Sequence, residues 1–393
     1  MNARSLGFGI SALAVAISLV GCGGSGGSSS SEVSVATSHA AVIATIAPDF
    51  GSSDIEIVAL NESELLAVDG YFLTDESDVT VAANGSDFYR IGRFNIDNVT
   101  KRNIAEPMLN EWQFSTRDEA GASVNPYALV FLNDTKAYLL RYASSVIWVV
   151  NPEATTAQDF KLGEIDLSAY NDSDGLPEIT GGKIVDGKLF VIMQRLDRDN
   201  GYEPSNTSYV AVIDTASDTE IATGKGEGDL NGIALQTRNP ESIEYKAGVG
   251  LFVQSVGGYF PASYVGGIES VNTTSYDTSI VIDDGTEEEH IYGLLNKLVL
   301  VDSETAYFVG YSGWQDTSLY RFNPSSGAVA SAPVEGFTGL DIRGLALGPA
   351  GRVWVSLGDN ANPRVALIDP ATDAEVDSIP TTLNPAKVVF VQE

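Results

Sequence analysis

Six arginines in an acidic chain are the side chains best suited to chemistry: Arg93, Arg141, Arg195, Arg198, Arg238 and Arg343. The strand pattern puts all six at or near one end of the fold. A guanidinium offers planar, forked donors that suit carboxylate, phosphate or flat polar groups. Aromatic and amide side chains occupy loops at the same end: Tyr259, Phe260 and Tyr264 within 257–267, Trp314 within 312–318, and Asp359 and Asn360 within 359–363. Together they would hold an anionic or planar polar ligand, with rings stacking on it. The same arginines would equally serve as ties to Asp and Glu between structural units. The sequence leaves both readings open.

Metal and catalytic signals are thin. Asp197-x-Asp199-Asn200-Gly201 alternates oxygens ahead of a turn-permitting Gly, as part of a calcium loop does. The later oxygens and bidentate Glu of a full EF-hand loop do not follow at the right spacing. Asn171-Asp172-Ser173-Asp174-Gly175 is a second short candidate. Both also read as hydrated acidic turns, and calcium is the one cofactor the sequence suggests. The two histidines are His39 and His290, and no G-x-S-x-G elbow accompanies either. His290 reads as a surface or turn residue, and the chain leans away from being an enzyme.

The chain has 393 residues, with 22 Lys plus Arg against 53 Asp plus Glu, a net charge of −31. That balance excludes a phosphate-backbone partner, which needs a basic face. It equally opposes electrostatic adhesion to anionic lipid. Cys22 is the only cysteine, so no intrachain disulfide and no cysteine-based metal site forms. Stability must come from the core.

Residues 1–22 read MNARSLGFGISALAVAISLVGC. Arg4 precedes an apolar run too short for a comfortable membrane span, as in a secretory signal. Leu19-Val20-Gly21-Cys22 resembles the bacterial lipobox, with Cys22 as the lipidated mature N-terminus. Several acyl chains on one residue hold a protein firmly on a bilayer. The Gly- and Ser-rich stretch of 22–39 is a flexible tether. Gly23, rather than Asp, follows the cysteine and favours sorting to the outer membrane. The expected order is signal peptide 1–21, lipidated Cys22 and tether 22–39, and one folded domain over 40–393.

Stepping along that domain, β-branched strands end in Asx turns at Asn61, Asp97, Asn151, Asp214, Asn272, Asn323 and Asp369. The first and last lie 308 positions apart, six steps of about 51. Several endings are preceded by hairpins, as at Asn133-Asp134 and Asp186-Gly187. Three hairpin-linked strands and a weaker fourth, repeated near fifty residues, are the pattern of propeller blades. Asn125-Pro126, Asn239-Pro240 and Asn384-Pro385 precede inner strands. Residues 385–391 read as an innermost strand without a blade, and 41–71 as a blade without that strand. The expectation is therefore an all-β fold: a single β-propeller, most simply of seven blades, closed by pairing of the C-terminal strand with the N-terminal blade. Trp148 and Trp354 fall in strand patterns and read as core.

The phrases VVNPEAT, AVIDTASDTEI and ALIDPATDAEV resemble those of YncE-like, or YVTN-type, β-propeller proteins. The stretch 193–218 looks like one found in lipid-anchored members. The resemblance covers most of 40–393 and implies the fold. It also implies a range of roles, from cobalamin-capturing surface lipoproteins to lactonases and quinoprotein dehydrogenases nearby. No motif selects among them. The expected role is a monomeric, lipid-anchored propeller of the cell envelope. It would bind a small ligand or dock an envelope protein complex through the channel-mouth face. A calcium-dependent lactonase or hydrolase is the alternative.

Overall fold

Short β-branched runs broken by regular turns fold as small antiparallel sheets, because each run pairs only with its sequence neighbours. The computed structural model describes residues 39–392, apart from residues 63 and 120. Cys22, the signal segment and the tether before His39 lie outside the described residues. Seven sheets follow in order: 39–68 with 384–392, then 79–115, 126–166, 179–220, 240–283, 294–322 and 341–380. They are numbered here blades 1 to 7, and they form one seven-bladed β-propeller. The fourth strand of blade 6 is reduced to single bridges, Phe322 to Val329 and Thr317 to Leu340.

The repeat has a physical origin in the turn between third and fourth strands. Asp214, Asn272, Asn323 and Asp369 each accept hydrogen bonds from backbone N–H groups two or three residues on. Four positions later a residue with positive φ donates its N–H to the Asx carbonyl. These residues are Asp218, Tyr276, Gly327 and Asp373. A cation from the preceding blade then clamps several of these turns. Lys136 reaches the Thr215 carbonyl at 2.8 Å, Lys188 the Thr273 carbonyl at 2.9 Å and Arg321 the Pro370 carbonyl at 3.0 Å. Asp97 departs from the series. It lies between the second and third strands of blade 2, where its buried carboxylate accepts from the Val124 and Asn125 amides at 2.9 and 2.8 Å. The turn of blade 2 that matches the others starts at Asn103.

Closure uses the two ends of the domain. The strand Asn384–Gln392 is the inner edge of blade 1 and pairs antiparallel with His39–Ile46, with Val42 opposite Val389 and Ile43 opposite Val388. Among the described residues, apolar clusters fill all seven interfaces between neighbouring blades. At the closing seam Ala41, Ile43 and Val58 pack on Trp354, Val365 and Leu367. Trp148 is buried between blades 2 and 3. With seven seams alike, no blade is a free end.

Two changes at the seam test closure by chemical denaturation. Ile43→Ala, at a fully buried side chain, lowers unfolding free energy by about 2 to 5 kcal/mol. Deleting residues 384–393 removes an entire inner strand and abolishes the single cooperative transition.

Candidate binding face at the channel mouth

In each blade the chain enters along the inner strand, so the loops after the second strand share a face with the blade-to-blade connections. That face surrounds the mouth of the axial channel. The loops carrying Arg195, Tyr259, Trp314 and Asp359 all lie on it.

The inner strands themselves build the mouth. Six of the seven carry a β-bulge near their first residues, and each bulge leaves one residue outside the ladder. These residues are Tyr127, Thr180, Glu241, Lys297, Arg343 and Ala386. Only Val79–Asn84 of blade 2 pairs without a break. A bulge turns a side chain out of the normal alternation. Glu241 and Lys297, from neighbouring blades, meet at 3.5 Å. The Tyr259 hydroxyl lies 3.2 Å from Glu241 and 2.9 Å from the Asn296 side-chain oxygen. Burial pushes the Tyr259 phenol far above its ordinary range. Tyr127 stacks on Tyr142 at 5.0 Å and lies under the Arg93 guanidinium at 4.7 Å.

Deeper in the channel Lys183 and Glu244 pair at 2.9 Å across blades 4 and 5. Lys387, on the inner strand of blade 1, is open to solvent yet enclosed by protein. Among the described residues it has no hydrogen-bond or ion-pair partner. Desolvation, then repulsion from Lys183, Arg93 and Lys297, pulls its pKa down to about 8, against attraction from Glu244. Groups from blades 2, 4, 5 and 6 act on one ammonium of blade 1, which only an axial position allows.

Most of the arginines named from sequence are engaged elsewhere. Arg141 is 0% exposed; it holds Asp118 at 2.9 Å and lies over the Trp148 ring, tying blades 2 and 3 from below the surface. Arg195 donates to the carbonyls of Tyr170 and Thr207 at 2.8 Å. Arg238 donates to the Leu235 carbonyl at 2.9 Å. Arg93 pairs with Asp78 and Arg343 with Asp341, both at 2.7 Å. Gly358 leaves room for that last pair, since a Cβ there would run into both side chains. Of the aromatics, Tyr264 stacks on His290 at 4.1 Å, whereas Phe260 and Trp314 are 87% and 70% exposed. Asp359 closes its own loop on the Ala361 amide at 2.8 Å, and Asn360 is exposed beside it. The ionic side chains that line the channel are therefore largely lysines and carboxylates of inner strands. The position after each Asn-Pro was the available signal for Tyr127 and Glu241.

The acidic turns fit a calcium ion poorly. Asp197 caps a short 3-10 turn, accepting from the Asn200 backbone N–H at 3.1 Å, and among the described residues no third acidic group joins it and Asp199. In the other turn, Asp174 and the fully buried Glu178 each keep one carboxylate oxygen without a hydrogen bond. Arg198 stands 3.9 and 4.0 Å from those oxygens and supplies the cation itself. Among the described residues no group of three or more His, Cys, Asp or Glu converges as a metal site.

The fold and this mouth define a seven-bladed propeller with a polar axial channel. No protein-family model matches the chain, and no curated protein matches it. Among solved structures it is similar to a Lactobacillus plantarum protein, with a TM-score of 0.62 and 12% identity over 90% of this chain and 99% of that one. It is also similar to a 6-phosphogluconolactonase-like protein of Bacteroides fragilis, with a TM-score of 0.60 and 14% identity over 90% and 98%. AztD from Citrobacter koseri gives a TM-score of 0.52 at 11% identity. These likenesses, all at 14% identity or less, show the β-propeller fold alone.

The buried carboxylates set a pH dependence. Burial raises Glu178 to about 8, and Glu56 and Asp284 to about 7. The folded state thus holds protons that the unfolded chain releases near pH 4 to 5, so stability falls as pH rises from there to about 8. Melting temperature should peak in mildly acidic buffer. Glu178→Gln should flatten that decline by up to about 1.4 kcal/mol per pH unit between pH 4.5 and 8.

Proposed function

We propose that this propeller is a binding module of the bacterial cell envelope. Lipid on Cys22 anchors it to the outer membrane, and the mouth face captures a small ligand or docks a partner protein. One observation carries the reading. Of fourteen exposed large apolar side chains among the described residues, eight are on the mouth face: Phe50, Leu73, Phe94, Tyr202, Phe260, Val265, Ile291 and Trp314. Exposed apolar side chains gathered on one face mark interaction surfaces, and aromatic ones are enriched there. Phe50 and Trp314 lie 6.4 Å apart, ring to ring, bringing loops of blades 1 and 6 together.

A calcium-dependent lactonase or hydrolase is the second reading, supported by the fold shared with 6-phosphogluconolactonase-like proteins. A melting point that rises with calcium and falls with EDTA would favour it; an unchanged one removes it.

For the first reading, a photoreactive amino acid is placed in cells at Phe260 or Trp314 and, separately, at Leu162 on an outer strand. Discrete cross-links from the first two sites and none from the third are expected. Equal patterns at all three would refute the mouth face as the docking surface. For the anchor, Cys22→Ser should move the protein from the membrane to the soluble fraction. Retention on the membrane counts against lipidation.

A further inference from the structure

We propose that the axial channel holds a small anion, a carboxylate or phosphoryl group, on the ammonium of Lys387. This deepens the mouth-face reading by naming a ligand class for the channel beneath it. The argument is one of charge pairing. Among the described residues, four of the five cations gathered around the axis have a carboxylate of their own: Arg93 has Asp78, Arg343 has Asp341, Lys297 has Glu241 and Lys183 has Glu244, while Arg195 and Arg238 in the mouth loops are held by backbone carbonyls. Lys387 is the fifth and has none. It is accessible to solvent, so a ligand can reach it, yet it is enclosed by protein, so its charge is poorly screened. A positive excess is therefore focused on the axis of a chain whose net charge is −31.

The structure itself makes the lysine costly. Desolvation and three like charges oppose its protonated form. A folded chain needing only to fill this position would be more stable with an uncharged residue. A bound anion reverses the balance: it neutralises the ammonium and accepts its hydrogen bonds. The size of the donor set favours one acid group rather than a polyanion. Beyond Lys387, the nearby donors on Lys183 and Lys297 are already shared with Glu244 and Glu241.

The test uses the full chain in detergent, titrated with inorganic phosphate and with succinate at fixed ionic strength, followed by melting temperature and calorimetry. Saturable binding of at least one is expected. Saturation by phosphate alone assigns a phosphoryl ligand, and by succinate alone a carboxylate. Lys387→Met should weaken binding at least tenfold while melting at or above the wild-type temperature at pH 7. Lys246→Met, at the hairpin of blade 5 on the opposite face, should bind as wild type. If Lys387→Met does not fold, Lys387→Gln takes its place. The proposal is overturned if neither anion saturates, or if the Lys387 variant binds as tightly as wild type. Cross-links from Phe260 and Trp314 that persist in that variant would leave the docking face standing while the anion site fails. Anion binding without such cross-links is the reverse case.

Discussion

Every sheet in this molecule has two edges, and the ring exists because the inner edge of blade 1 is supplied by the far end of the chain. The pairing of Asn384–Gln392 with His39–Ile46 joins residues more than three hundred positions apart. Loop-closure entropy opposes so distant a contact, and a continuous hydrogen-bonded ladder with a buried seam offsets it. Once the seam forms, Ile43 and Trp354 are covered and each blade has a neighbour on both faces. The channel, its mouth and its charges are consequences of that closure, since no residue of blade 1 would otherwise meet groups from blades 4, 5 and 6.

Charge is managed differently in the two ends of the ring. Away from the mouth, cations act as fasteners: Lys101 alone meets Asp87, Glu111 and Glu153 within 3.1 Å. Such multiple pairing keeps a buried ammonium in its charged form. At the mouth the bulges do the positioning. By removing one residue from each of six ladders they turn side chains out of the alternation, and Glu241 and Lys297 meet although they belong to different sheets. Lys387 is what remains when the pairs have formed.

Much of the fold was legible before any coordinates. Asp214, Asn272, Asn323 and Asp369 mark turns whose geometry depends on four or five consecutive residues, so a local pattern reports them faithfully. Asn125-Pro126, Asn239-Pro240 and Asn384-Pro385 mark strand starts for the same reason: proline cannot donate to a ladder. Asp97 misled because an Asx residue can cap any turn, and its real partners, the Val124 and Asn125 amides, are remote in sequence. The arginines were ambiguous for a related reason. Loop position placed them near the mouth, but whether a guanidinium faces a ligand or a backbone carbonyl depends on which loop packs beside it. Arg141 and Arg195 found structural partners.

The linear sequence by itself determined the unit that repeats, the count of blades and the strand that completes the ring, because turn chemistry and strand alternation act between near neighbours. It also determined the strong negative charge against which any cationic site stands out. Only the tertiary structure decided which charges meet, because the electrostatic environment of Lys387 is set by residues from five blades that share no local pattern. Spatial convergence across a closed ring is not written in spacing; it follows from the geometry of the ring.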